Sequence, residues 1–256
     1  FSLKFIIVFF VVIVFFVFST LWYFSIGLPD YKKLSNYQPP ISSRVYSEDN
    51  KLIAEYALEK RLFIPYESIP DKVINAFLSA EDKNFFSHPG IDAKGILRAI
   101  IKNIKNISQN KRLEGASTIT QQVAKNFLLS NELSYSRKIK EIILSVRIEN
   151  ILDKNSILEL YLNDIYLGYG SYGIGTASLN YFNKSIYDLE LHEIAFLAAL
   201  PKAPNNYNPK TNYLKAVERR NWVIDRMYEN GFISYEDLSF KNKSIKLIAR
   251  DYRSFV

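Results

Sequence analysis

The sequence predicts a mainly α-helical protein that follows a single membrane-spanning helix, with a small β-strand region in between. Three observations carry this reading: a long uncharged apolar run near the N-terminus, one short stretch of apolar–polar alternation, and helical spacing of apolar residues through nearly everything downstream.

From Phe5 to Leu28 no residue is charged. A helix over this run would measure about 36 Å, more than a bilayer core requires. A cleaved signal peptide is the alternative, but its apolar region would be shorter and would end in small residues, whereas Trp22 and Tyr23 sit where an interfacial belt belongs. The run is read as a retained anchor over 5–28. Lys4 favours a cytoplasmic N-terminus and Lys32 and Lys33 blunt that preference, so the remainder is expected on the outer face of the inner membrane.

Pro and polar residues mark 29–42 as a linker. Alternation around "EDN" and "EK" then predicts strands or a hairpin within 43–66. A helical domain is expected over 67–235, and 236–256 reads as the start of a linker to a following region. The first helix opens at Ser68 with Asp71 three residues on, and carries Val73, Ile74, Phe77 and Leu78. Further helices are predicted over 92–105, 117–129, 134–152, 156–162, 188–200 and 214–230. "SILE" and "SIYD" supply capping boxes at Ser156 and Ser185.

Composition narrows the chemistry. With 33 Lys and Arg against 26 Asp and Glu the net charge is +7, which suits an anionic partner. The absence of Cys excludes disulfides and thiolate chemistry, and the distant His88 and His192 offer no metal-ligand set. "GYGSYG", from Gly168, matches a dinucleotide fingerprint in letters only. The segment before it reads as a helix, and no alternating strands and helices surround it. A tight loop under a substrate cleft is the better reading of these glycines.

Three segments concentrate reactive groups. In "SAEDKNFFSHPG", Glu81 and Asp82 close an apolar helix, where the dipole disfavours a carboxylate, so a role other than local stability is expected for Glu81, which is placed to act as a general base. Phe85, Phe86 and His88 also suit packing and a satisfied hydrogen bond. In "EGASTITQQVAKN", a helix beginning at Ser117 aligns Ser117, Gln121 and Lys125 on a polar stripe behind an N-terminus suited to anions. The alternative is an ordinary solvated face. In "SRKIKEIILSVRIENIL", Arg137, Lys140 and Glu141 share the face that continues as Leu144, Ile148 and Ile151, which puts the charges at the lip of an interior cleft. An exposed i,i+4 pair of Arg137 and Glu141 is the alternative.

Together "EDKNFFSHPGID", "GASTITQQVAKN", "RKIKE", "YLNDIYLG" and "AALPKAPNNYNP" resemble, in order, the five motifs of family 51 peptidoglycan glycosyltransferases. That family comprises monofunctional transglycosylases and the N-terminal domains of class A penicillin-binding proteins. The resemblance covers about 43–234. It implies a lysozyme-like fold and polymerisation of lipid II into peptidoglycan glycan strands, in cell wall biogenesis. It also implies Glu81 as general base, and Glu141 near the donor pyrophosphate with cations at Lys125, Arg137, Lys138 and Lys140. Asp82, Phe85, His88, Ser117, Thr118, Gln121 and Gln122 match residues shaping and lining the cleft. Asn163 counts among the substrate-binding positions, although it and Tyr166 suit support of the site better than chemistry.

The chemistry agrees with that assignment. A glycoside hydrolase must protonate a poor leaving group, whereas a departing pyrophosphate needs positive charge. No cofactor is required, and the pyrophosphate leaves room for a divalent cation, Mg or Mn. The expected partners are lipid II, the growing glycan strand, membrane lipids and other wall-synthesis proteins, with no nucleic acid. Ile96, Leu97, Ile100, Ile101 and Ile104 alternate with Arg98, Lys102 and Lys105 as in a helix resting on a membrane, with ordinary core packing as the other reading. The polar run 106–114 is expected to be a loop over the cleft. A muramidase or lytic transglycosylase is the nearest enzymatic rival, and a non-catalytic wall scaffold is the rival from another class. The single S-x-x-K, at Ser108, has no partner motifs downstream, so transpeptidase chemistry is not expected in this segment. The strand region and the C-terminal span resemble a class A protein cut after its first domain, with a monofunctional enzyme as the alternative.

Overall fold

The computed structural model describes residues 3–37, 43–46, 52–56, 62–108, 115–130 and 134–248. The chain divides into two compact units, 1–36 with 87–153, and 37–86 with 154–256. The described residues are mainly helical, as the periodicity predicts.

The first unit begins with α1 (Leu3–Ser25). Its segment Lys4–Ser25 has mean hydropathy 2.9 and is long and apolar enough to cross a membrane. The helix stops short of the uncharged run's end because Gly27 takes φ +73°, a left-handed turn that terminates helices. Part of the expected linker is structured: Tyr31–Asn36 forms a 3-10 turn with Leu34 buried, and Arg147 lies 5.8 Å from the centre of the Tyr31 ring. α3 (Ala93–Ser108) starts behind Asp92, whose Oδ1 accepts from the Gly95 N–H at 2.8 Å. It runs past the predicted end and takes in 106–108 of the span expected as a loop, and 109–114 lie outside the described residues. α4 (Ile119–Leu128) and α5 (Tyr135–Glu149) pack on each other through Ile119, Val123, Leu144 and Ile148.

In the second unit β1 (Ser43–Tyr46) and β2 (Leu52–Tyr56) pair antiparallel, with Ser43 opposite Tyr56. The core helix is α8 (Leu191–Ala199), whose residues are all buried. A helix buried on every side belongs at a centre, and α2 (Asp71–Glu81) and α9 (Tyr213–Glu229) pack against it. α6 (Lys154–Asp164) and α7 (Ile174–Phe182) complete the unit.

Four expected starts are corrected. Pro70 caps α2 and Ser68 falls in a preceding 3-10 turn, because Pro at the boundary fixes the extended entry. Thr118, not Ser117, caps α4. Ser156 lies inside α6, which begins two residues earlier, so "SILE" is no cap. At α8 Glu190 and Glu193 form the reciprocal box, and "SIYD" is a turn in which the Asp188 N–H donates to the Ser185 carbonyl at 3.0 Å. Part of the span read as a linker after 235 is packed too, and 249–256 lie outside the described residues. Glu236–Asn242 forms a 3-10 turn, and the fully buried Arg220 donates to the carbonyls of Lys241 and Lys243 at 3.1 and 3.0 Å.

Candidate active site

The candidate residues are distributed over both units, with Glu81 in one and Glu141 in the other. The first-motif segment itself crosses the division, since Phe86 belongs to one unit and Ser87 to the other.

In the first unit the cations gather on the opening turns of α5. The hydroxyl of Ser134 caps this helix, accepting from the Arg137 N–H at 3.1 Å. The Glu141 carboxylate is 4% exposed and is held by both neighbours: Arg137 Nε to Oε1 at 3.1 Å, and Lys138 Nζ to Oε2 at 2.8 Å. Lys138 also donates to Ser117 Oγ at 2.8 Å and to Gln121 Oε1 at 3.2 Å, which ties α5 to the start of α4. Lys125 and Lys140 are half-buried on the same two helices and form no ion pair among the described residues. With both oxygens on cations, Glu141 holds Arg137 and Lys138 in place. The arrangement also rules out the freely exposed i,i+4 pair.

Several second-motif side chains are turned inward. The Thr118 hydroxyl accepts from the Gln121 N–H at 3.2 Å and donates to the Gly90 carbonyl at 2.7 Å. Gln121 returns the favour through Oε1 to the Thr118 N–H at 3.3 Å. Both residues are buried, and their polar groups hold the loop and the helix start. Gln122 is half-buried beside them, and Ser117 is exposed. Gly90 has φ +88°, and a Cβ there would lie 2.8 Å from the Ser145 carbonyl oxygen, so the loop after buried His88 can run against α5 only with glycine at that position.

The α3 helix gives the clearest answer to a question the sequence left open. Leu97, Ile100, Ile101, Ile104 and Ile107 are each 52–66% exposed, and only Gly95 and Ala99 are buried. Core packing is therefore not their role.

In the second unit, Glu81 ends α2 and is half-buried, followed by the buried cap residue Asp82. Phe85 is 0% exposed, stacks edge-on with Phe86 at 5.2 Å and has the Lys154 ammonium 4.3 Å above its ring. It packs in the interior, the reading that the sequence offered beside contact with substrate. Asn163 is tied to backbone, in keeping with support of the site. Its Oδ1 accepts from the Ile64 N–H at 2.8 Å, and its amide nitrogen donates to the carbonyls of Ile64 at 2.8 Å and Glu159 at 2.9 Å. Every hydrogen-bonding group of this side chain except one lone pair is spent on backbone, so it positions the irregular segment around Ile64. Tyr66 N–H donates to Glu159 Oε2 at 2.7 Å from the same helix face.

The glycine loop is tight, as expected. Gly168, Tyr169, Gly170 and Gly173 all have positive φ, and a Cβ on Gly173 would fall 2.5 Å from the Asn163 carbonyl oxygen. It follows a helix and leads into α7, not out of a strand, so no dinucleotide fold surrounds it. Among the described residues no three His, Asp or Glu side chains cluster to hold a metal ion, and no step below runs through one.

Sequence reasoning missed Tyr161, the first tyrosine of "YLNDIY", which is 1% exposed and packs edge-to-face on Phe77 at 6.3 Å. It reads as one more apolar-periodic position of α6, and no local signal marks it.

The family model described as Transglycosylase matches residues 49–228, and the chain belongs to that family. Penicillin-binding protein 1A of Rickettsia prowazekii (strain Madrid E) is 53% identical over 85% of this chain, and that of Pseudomonas aeruginosa is 49% identical over 84%. The chain spans only 28% and 26% of those two proteins. The crystal structure of penicillin-binding protein 1A from Haemophilus influenzae matches 84% of this chain and 22% of its own at 26% identity, with a TM-score of 0.47.

Proposed function

We propose that this chain is the glycan-polymerising segment of a class A penicillin-binding protein, transferring the growing strand from its lipid pyrophosphate onto lipid II. The observation that supports this best is the cation set on α4 and α5, with Arg137 and Lys138 fixed by buried Glu141 and with Lys125 and Lys140 alongside. In the reaction Glu81 takes the proton of the acceptor 4-hydroxyl. That oxygen attacks C1 of the donor sugar, the C1–O bond to pyrophosphate breaks with inversion, and the electron pair leaves with the pyrophosphate. Positive charge held in place before the reaction stabilises that leaving group without reorganising. A muramidase has no use for such a set, because its leaving group needs a proton instead.

The unit that carries these cations also carries α1 and the exposed isoleucines of α3. A lipid-linked pyrophosphate lies at a membrane surface, so an anchor and an apolar, basic helix in the same unit suit that substrate. In this reading α1 is a single-pass anchor with a cytoplasmic N-terminus and the rest lies on the outer face. The catalytic domain extends over about 67–235, preceded by the strand region. Asp82, Phe85, His88, Ser117, Thr118, Gln121, Gln122 and Asn163 are the candidates to shape or line the acceptor and donor sites.

Purified protein incubated with lipid II in detergent should yield glycan strands longer than the substrate. Shortening of preformed strands with no lengthening of lipid II would assign it to the hydrolytic or lytic class.

A further inference from the structure

Tyr161 is a buried phenol with nothing to bond to. It projects from α6, is 1% exposed, and its hydroxyl has no hydrogen-bond partner among the described residues. Such groups are few in folded proteins, because a buried unsatisfied hydroxyl forfeits its hydration for no return. A phenylalanine would fill the same space without that cost. The neighbourhood supplies a reason to keep the oxygen. The ring packs on Phe77 of α2, and Phe77 and Glu81 are four residues apart and so lie on one face of that helix. Burial raises the phenol's pKa well above its ordinary value, and the negative charges of Glu81 and then Asp82 push it further the same way. The group is thus a neutral hydroxyl at physiological pH, with a proton to offer and two carboxylates within electrostatic reach. Hydrogen bonds at catalytic groups are commonly long in the resting state and tighten in the loaded one.

We infer that Tyr161 is a positioning residue for Glu81: its buried hydroxyl is the donor that holds the Glu81 carboxylate toward the acceptor when the site is loaded. The phenol keeps its proton throughout, so it takes no part in the transfer itself. It fixes the direction from which the carboxylate accepts the acceptor's proton. This rests on the reading of Glu81 as the base.

The test is Tyr161→Phe in the full chain, which removes one oxygen and leaves the ring packing on Phe77. Because the bond it removes is to a charged group and forms only in the working state, kcat should fall about ten- to a hundred-fold while KM for lipid II stays within about two-fold. The melting temperature should stay level or rise, since the lost hydroxyl is unsatisfied at rest. In the Glu81→Gln background the same change should add nothing to the residual turnover, as expected of two groups acting through one step. Wild-type kcat in Tyr161→Phe would overturn the inference. So would a lower melting temperature with a rate loss that adds fully to that of Glu81→Gln, which is the signature of a structural hydroxyl. Wild-type turnover in Glu81→Gln alone would instead remove the base reading. An impaired Glu81→Gln beside an unaffected Tyr161→Phe would remove only the role of Tyr161.

Discussion

Lys138→Met separates charge from scaffold at the donor site. The lysine makes three bonds, to Ser117, Gln121 and Glu141, and its side chain is 43% exposed. Methionine keeps the length and the apolar stem and deletes the charge. The stability cost should be small. An i,i+3 ion pair open to solvent is worth about 0.3–1 kcal/mol, and Glu141 retains Arg137 at 3.1 Å, so the buried carboxylate is not left unpaired. At about 2–4 °C per kcal/mol for a domain of this size, the melting temperature should drop by no more than about 4 °C. The catalytic cost should be larger. One charge-assisted contact to a pyrophosphate is worth about 1.5–3 kcal/mol, or roughly ten- to a hundred-fold in kcat/KM for lipid II polymerisation. Continuous polymerisation assays and thermal melts on the same preparation read both quantities. A melting temperature lowered by far more than this with kcat/KM unchanged would show that Lys138 only pins α4 to α5, and the donor-site reasoning would fail.

Glu81→Gln keeps shape and removes basicity, so turnover should fall by about 10²–10⁴, read as loss of glycan product over long incubations; near-normal turnover excludes the base. Arg137→Ala and Lys140→Ala should each weaken donor use and lower the affinity of a pyrophosphate-bearing inhibitor in parallel, and unchanged inhibitor binding in both argues against their role. Ile100→Ser with Ile101→Ser should leave the fold intact, because both side chains are exposed, and should abolish the salt-resistant part of binding to anionic vesicles by protein lacking α1; a large drop in melting temperature would return α3 to the core. Thr118→Val removes both the cap and the tie to Gly90, and should cost about 1–2 kcal/mol in chemical denaturation, whereas an unchanged midpoint would show that the capping box is not needed.

What the sequence made legible was what local rules control. The apolar periodicity of Val73, Ile74, Phe77 and Leu78 places α2, and Ser134 announces α5, because the cap and the helix it starts are adjacent in the chain. "SILE" and "SIYD" mislead because the same letters serve inside a helix and in a turn, and only the flanking packing decides. α7 is illegible for a related reason. Its small polar residues are satisfied from elsewhere: Thr176 accepts from the Leu62 N–H at 3.1 Å and Ser178 donates to the Lys184 carbonyl at 2.6 Å. Gly175 lets the helix approach the segment 62–64, since a Cβ would lie 2.9 Å from Ile64 Cδ1. At the site, the identities of Arg137, Lys138 and Glu141 are legible, but their division of labour is not. Whether Glu141 reacts or anchors depends on which oxygen meets which cation. Thr118, Phe85 and Asn163 have residue types that suit substrate binding, and that they are buried is a property of the whole fold. Tyr161 is hidden for the same reason, as its meaning comes from Phe77 and Glu81 on another helix.

The most direct test of the central claim, that Glu81 and the α4–α5 cations drive transfer from a lipid pyrophosphate, is the stoichiometry and stereochemistry of a single bond-forming event. Wild-type protein given lipid II should release one lipid pyrophosphate per glycosidic bond formed. Nuclear magnetic resonance of the product should show every new linkage inverted relative to the donor, with both signals lost together in Glu81→Gln. Product with retained configuration, or pyrophosphate released with no new linkage, would contradict the account.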